Sequence, residues 1–341
     1  MLPLQEKTCS YQEGLPEQIR VSLGTAIVLG LLEGKLDAAP TTAYFMTYKT
    51  GKCSANCGFC SQARASKSNA DFLSRVTWPI FPIVTVLTAL SGIVKQEKIK
   101  RVCIQALNYP DVFGHLEALV KEIKRCSAIP VSVSCQPLNT QNIELLKKAG
   151  VDRLGIALDT ATEAIFVKVK GKDAGGSYTW QNQFTQLRDA IAVFGNGAVS
   201  THVIVGLGET EKDAAEVIQR CIDTGVLPAL FAFTPVRGTA LETQSPPEVE
   251  SYRRLQLARY LIVKNIARFE NMRFDFAGKI VGYDLPHESL EPIIASGLPF
   301  QTSGCPDCNR PYYNEKPSGP IYNYPKKPNK EEIEKIKKQL R

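Results

Sequence analysis

Three cysteines lie within the stretch GKCSANCGFCSQ (51–62), at Cys53, Cys57 and Cys60. Their C-x3-C-x2-C spacing suits a metal-binding loop, and the number of thiols is the informative part. A structural zinc site closes with four protein ligands, and a simple iron–sulfur carrier also uses four cysteines. A loop that gives three thiolates to a four-iron cluster leaves one iron open to a ligand that is not protein. The plainer alternative is a zinc knuckle completed by a distant residue. A second pair, Cys305 and Cys308 in SGCPDCNRPYYNE (303–315), has C-x2-C spacing and supplies half of a tetrahedral site. Zinc and a second iron–sulfur cluster both suit such a pair. Its remaining ligands would come from Cys9, Cys103 or Cys135. Cys126 and Cys221 fall on helix-like segments and read as core residues.

These residues need elements to hold them. The stretch 42–48 (TAYFMTY) is rich in aromatic and β-branched residues and reads as a strand leading straight into the cysteine loop. Further strands are expected at 101–106, 130–135, 152–158, 199–205 and 228–234. Helices are expected at 79–97, 113–126, 139–149, 182–194, 210–224 and 247–267. Alternating strands and helices argue for parallel βα units, which an open sheet or a barrel would satisfy. Groups at the carboxyl ends of successive strands fit a barrel better. Residues 1–40 read as a helical lead-in, with Ile19, Leu23, Ile27, Leu31 and Leu32 at helical spacing, and the barrel runs over 41–297. Within it, 171–177 (GKDAGGS) is a loop or lid, 273–277 a further strand and 287–296 a short helix. The segment 298–325 has six prolines, little periodicity and the second cysteine pair; a metal would tie it down. A basic helical tail follows at 326–341, where Asn329 and Glu332 stand as in a capping box.

Composition excludes several classes. At 44% hydrophobic and 22% charged, the 341 residues are those of an ordinary globular protein. Residues 1–20 carry five charges and no apolar core, so no secretory signal is expected there. The longest apolar run, 79–94, is too short and too interrupted to span a bilayer and reads as a buried helix. Ten cysteines in a chain of this length fit a reducing cytoplasm with bound clusters better than a disulfide framework. The net charge of +7 includes +4 from the tail, and no basic stripe with interleaved aromatics is present. Neither a nucleic acid nor a membrane is an expected partner.

Four stretches together resemble the biotin synthase branch of the radical S-adenosylmethionine (radical SAM) enzymes. They are TGKCSANCGFCSQ at 50–62, IALDT at 156–160, VIVGLGETEKDA at 203–214 and VRGTAL at 236–241. The resemblance covers about 42–267 and implies an α/β fold, a radical SAM (β/α) barrel, either partial (β/α)6 or complete (β/α)8. It implies that Cys53, Cys57 and Cys60 hold a 4Fe-4S cluster whose open iron binds S-adenosylmethionine. Phe59 would then lie near the adenine and Asp159 would bind the ribose. Ile204, Gly206 and Glu209 would fall on the motif beside the adenine.

The departures from that branch carry their own implications. Biotin synthase holds a second, two-iron cluster with three cysteines and an arginine. Cys103 matches the first cysteine, Ser132 and Ser200 occupy the other two places, and Arg273 matches the arginine. Ala157 and Phe231 replace two asparagines that recognise a polar ring, which favours an apolar substrate. With Cys305 and Cys308 as a second, auxiliary 4Fe-4S site, the chain resembles the archaeal-type split lipoyl synthase, whose work is divided between two related radical SAM proteins. That resemblance implies sulfur insertion into an unactivated C–H of an octanoyl chain on a lipoyl-carrier protein. It implies as partners that carrier, a companion radical SAM paralogue and an electron donor. The alternatives are biotin synthase, another radical SAM sulfur insertion or rearrangement, and a non-catalytic iron–sulfur scaffold, electron carrier or zinc-stabilised subunit.

Overall fold

The segments richest in β-branched residues form one eight-stranded sheet in the computed structural model, which describes residues 14–136 and 139–340. Its strands are β1 (Gln18–Val21), β2 (Thr42–Thr47), β3 (Ile80–Pro82), β4 (Arg101–Gln105), β5 (Val131–Ser134), β6 (Arg153–Gly155), β7 (Val199–Val205) and β8 (Leu227–Ala232). Their spatial order is β8-β7-β6-β5-β4-β2-β1-β3. The run from β2 to β8 is parallel. At the edge, β1 and β3 add antiparallel. Helices α1 (Ile83–Val94), α2 (Val112–Cys126), α3 (Thr140–Ala149), α4 (Glu163–Val169), α5 (Trp180–Phe194), α6 (Glu211–Asp223) and α7 (Val249–Val263) follow the strands. Six parallel strands with their crossover helices make this a partial (β/α)6 barrel.

Strand periodicity separates the two faces. Val102 and Ile104, Val131 and Val133, Leu154, Val203 and Val205, and Leu230 enter the core shared with the helices. The intervening residues, among them Cys103, Gln105, Ser132, Ser134, Ser200 and His202, line a cavity of about 490 Å³. A one-residue slip of any strand would send this polar set into the helix core, so the pattern fixes the register.

The N-terminal segment differs from the helical lead-in expected over 1–40. Residues 18–21 are β1, paired Ile19 to Thr47 and Val21 to Phe45, and among the described residues of that stretch only Leu23–Val28 is helical. Ile19 and Val21 alternate with Arg20, and covering the free edge of β2 outweighs the helical spacing. Likewise 80–82 is the edge strand β3, and the helix expected from 79 begins at Ile83. Helix α4 was not expected at all. Its N-cap is Thr162, whose hydroxyl accepts from the Ile165 amide.

The proline-rich segment closes the open side of the barrel and is held there by hydrogen bonds. The Leu230 amide of β8 donates to Ser303 Oγ at 2.8 Å, and the Thr41 amide before β2 donates to Asn309 Oδ1 at 2.9 Å. The segment thus spans from the last parallel strand to the first. Arg253 on α7, 1% exposed, donates to the carbonyl of Tyr322 at 2.6 Å and to that of Ile321. Beyond α8 (His287–Ser296) comes α9 (Lys330–Gln339), which opens with the Asn329–Glu332 capping box. Its Ile333 and Ile336 bury against Phe300 and Tyr324, so the tail is packed on one face rather than solvated all round. Among the described residues, no helix is long and apolar enough to cross a membrane.

Candidate functional site

The cysteine loop leaves β2 and is closed on itself by the Cys53 amide, which donates to the Gln62 carbonyl at 2.9 Å. It is strapped from outside at three points. The Gly58 amide donates to the Val169 carbonyl at 2.7 Å, Asn56 Nδ2 to the Ala174 carbonyl at 2.6 Å and Arg64 Nη2 to the Gly175 carbonyl at 3.0 Å. The stretch 171–177 is therefore a strap on the loop, with a short 3-10 turn at Lys172–Ala174. All three thiols line the cavity. Burial pushes the Cys57 thiol far up, opposed by the Lys170 ammonium. Burial likewise raises Cys60 to about 12. Cys53 Sγ accepts the Asn108 amide at 3.1 Å. Such thiols give up their protons to a metal more readily than to water.

Asp159 lies four residues beyond β6, bridged to Val203 of β7, with φ of 73°, a left-handed conformation uncommon outside glycine. Two backbone bonds to β7 fix it there: Asp159 N donates to the His202 carbonyl, and Ile204 N donates to the Asp159 carbonyl, each at 2.8 Å. Its carboxylate is buried and meets Lys170 Nζ at 2.6 Å. His202 Nδ1 lies 4.0 Å from the other oxygen. Burial lowers His202 to about 4, against the pull of Asp159, so at neutral pH the imidazole is uncharged.

The other residues of the expected cofactor site divide into two groups. Ile204 lines the cavity, and Phe59 packs beside it with Val169, Leu207 and Phe233. Gly206 and Glu209 form the turn after β7. Glu209 accepts the amides of Gly206 at 2.5 Å and Leu207 at 3.0 Å, while burial raises its carboxyl. Gly206 has φ of 106°, and a Cβ there would stand 2.8 Å from Pro247 Cδ. Gly206→Ala should therefore destabilise the protein by about 2–3 kcal/mol, from strain and clash together. Urea unfolding would check this, and an unchanged midpoint would contradict it.

The second cysteine pair meets Cys103. Tyr44, Cys103 and Ser132 are register partners across β2, β4 and β5, forming one row inside the barrel. The proline-rich segment lowers its thiols onto that row. Cys308 Sγ lies 3.2 Å from Tyr44 Oη, and Cys305 Sγ lies 3.6 Å from Ser132 Oγ. After burial, Cys305 and Cys308 are the chief groups raising the Cys103 thiol, and Arg310 and Arg101 counter the rise at Cys308. Cys135 lines the same cavity, and burial raises its thiol to about 12. Cys9 lies outside the described residues. Arg273 is exposed on a two-stranded ribbon (Arg273–Phe274 with Ile280–Gly282) and does not line the cavity. The turn at Asp275 and Gly278 folds that stretch back on itself against α6, so it adds no strand to the barrel. Arg101 and Arg310 are the guanidinium groups beside Cys103 and its partners.

Among the described residues, no three Cys, His, Asp or Glu side chains converge on a point that would hold a single metal ion. Cys53, Cys57 and Cys60 share one cavity all the same, as do Cys103, Cys305 and Cys308. Thiolates that each bind a different iron of a cluster need to face a common space rather than a common point. Both sets of residues fit that requirement.

Sequence reading missed Lys170, His202, Tyr178 and Arg310. Lys170 and Tyr178 flank a loop of no clear pattern, and only the fold brings them to Asp159. His202 carried a readable signal, since it lies two residues before Ile204 and therefore shares its strand face.

A family model described as the radical SAM superfamily matches residues 47–221. Over 224 residues the chain is 26% identical to a biotin synthase from Bordetella avium, covering 63% of this chain and 64% of that protein. Over 264 residues it is 24% identical to a biotin synthase from Desulfatibacillum aliphaticivorans, covering 73% and 71%. The chain thus spans a little under two thirds of the length of the Bordetella relative. Among solved structures, the FeFe-hydrogenase maturase HydG shares the fold with a TM-score of 0.50 at 16% identity, covering 64% of this chain and 50% of that one.

Proposed function

The chain belongs to the radical SAM superfamily, and from that premise we propose that it inserts sulfur into an unactivated C–H of an octanoyl chain carried on a protein lysine, as lipoyl synthases do. The family implies a 4Fe-4S cluster and S-adenosylmethionine, which Cys53, Cys57 and Cys60 would hold with Asp159. When bound, that pair supplies a carbon radical able to take hydrogen from an inert C–H, and an auxiliary 4Fe-4S cluster would supply sulfide. The observation that carries the proposal is the meeting of Cys103, Cys305 and Cys308 in the same cavity as the first three cysteines.

The residues between the two sets suit an apolar chain. Phe231 packs against His202 at 4.7 Å and Tyr313 at 5.8 Å, with Arg310 stacked on its face at 3.7 Å. The Arg310 guanidinium donates to the Leu230 carbonyl at 3.2 Å. With His202 neutral and the Arg310 guanidinium turned onto the Phe231 ring, Phe231 and Ala157 give the lining an apolar part. Trp78 and Leu107 pack with Tyr44, Met46 and Cys53, with Tyr313 against them, and holding the chain in one place is the protein's main contribution to such a step.

The curated relatives favour a second reading, sulfur insertion into dethiobiotin. Ser132 and Ser200, standing where that chemistry uses cysteines, weigh against it. One assay separates the readings. Anaerobically reconstituted protein is mixed with dithionite, S-adenosylmethionine and either an octanoylated carrier peptide or dethiobiotin, with and without a companion radical SAM paralogue and a protein electron donor. A thiolated peptide supports the proposal. Deoxyadenosine with no thiolated peptide in any mixture overturns it.

A further inference from the structure

Lysine is seldom fully buried unless it is paired, and the Lys170 side chain is 1% exposed. Its Nζ donates to Asp159 Oδ2 at 2.6 Å and also to the Ala157 carbonyl, with the Phe166 and Tyr178 rings at 5.8 and 5.5 Å. The backbone around it is fixed without help from the side chain. Its own amide donates to the Phe166 carbonyl at 2.9 Å, as does that of Gly171 at 2.8 Å, and the Val169 carbonyl takes the Gly58 amide. The ammonium is therefore free to serve Asp159 and does not anchor the strap.

Only one oxygen of Asp159 is engaged. Among the described residues no donor reaches Oδ1, since His202 Nδ1 stands off at 4.0 Å. We infer that Lys170 is a positioning residue for the cofactor, holding Asp159 by Oδ2 so that Oδ1 faces the cavity to accept the hydroxyl groups of a bound nucleoside. Without the lysine the carboxylate keeps neither its counter-charge nor its fixed direction, and an unpaired charge in that place is costly.

The inference rests on family membership and not on the octanoyl substrate, so failure to form a thiolated product leaves it standing. It is tested by the affinity of reconstituted protein for S-adenosylmethionine, measured by equilibrium dialysis. A second readout is the change in the electron paramagnetic resonance signal of the reduced cluster when the cofactor is added. Lys170→Met should weaken binding at least ~10-fold and shrink that spectral change, with cluster iron unchanged. Lys170→Arg, which keeps the charge, should recover part of the loss. The double variant Lys170→Met/Asp159→Asn should bind no worse than Asp159→Asn, within about twofold, because the lysine acts through the aspartate. Should Lys170→Met fail to fold, the double variant, which leaves neither charge unpaired, decides the matter. Binding by Lys170→Met within about twofold of the natural protein overturns the inference. So does a double variant in which the two losses multiply.

Discussion

Replacing both Cys305 and Cys308 by alanine should remove thiolated product while leaving cofactor cleavage in place. Iron per chain should fall from about eight to about four, the content of a single four-iron cluster. The expectation follows from the separation of the two thiol sets within one cavity. Cys305 and Cys308 touch Ser132 and Tyr44, whereas the first loop is closed by Cys53 and Gln62 and strapped by 169–175. The fold around the second set does not depend on its thiols. Ser303, Asn309 and Arg253 secure the segment through hydrogen bonds of their own. A double variant that still binds about eight irons would move the second cluster elsewhere. One that forms thiolated product at the natural rate would remove it from the reaction.

Replacing Cys57 by alanine should have the opposite signature. Deoxyadenosine formation should fall by ~10³-fold or more, because a cluster with two protein ligands is neither held nor tuned as one with three. The second site should keep its iron, about four per chain. Cys57 is the more informative choice among the three. It stands between the other two in the loop, beside the Gly58 amide that is strapped to the Val169 carbonyl. Its loss should also abolish any effect of the cofactor on the spectrum of the remaining cluster. Appreciable deoxyadenosine from this variant would mean that another set of thiols starts the reaction.

Much of the barrel was legible because strands report their own burial. The six parallel strands fall where runs of β-branched and aromatic residues predict them, and β7 coincides with 199–205 throughout. The errors lie at the edges of the sheet. There β1 and β3 are short, and pairing to a neighbour decides their state more than their own pattern does. Helix α4 escaped notice because its seven residues are too few to show a periodic stripe.

The sequence alone determined the chemistry that is local to one loop. Cys53, Cys57 and Cys60 are close in the chain, so no fold could bring them far apart, and their count alone points to an open coordination position. The partnership of Cys103 with Cys305 and Cys308, the pairing of Lys170 with Asp159 and the displacement of Arg273 to an exposed ribbon depended on tertiary structure. Each joins or separates residues through strand register and chain crossings, and side-chain types along the sequence carry no record of those distances. Cys103 and Cys135 look alike in the sequence as cysteines of strand-like segments. Both line the cavity, but Cys135 also packs into the core shared with the helices, whereas Cys103 is the one whose thiol Cys305 and Cys308 act on, and that difference came only from the assembled sheet.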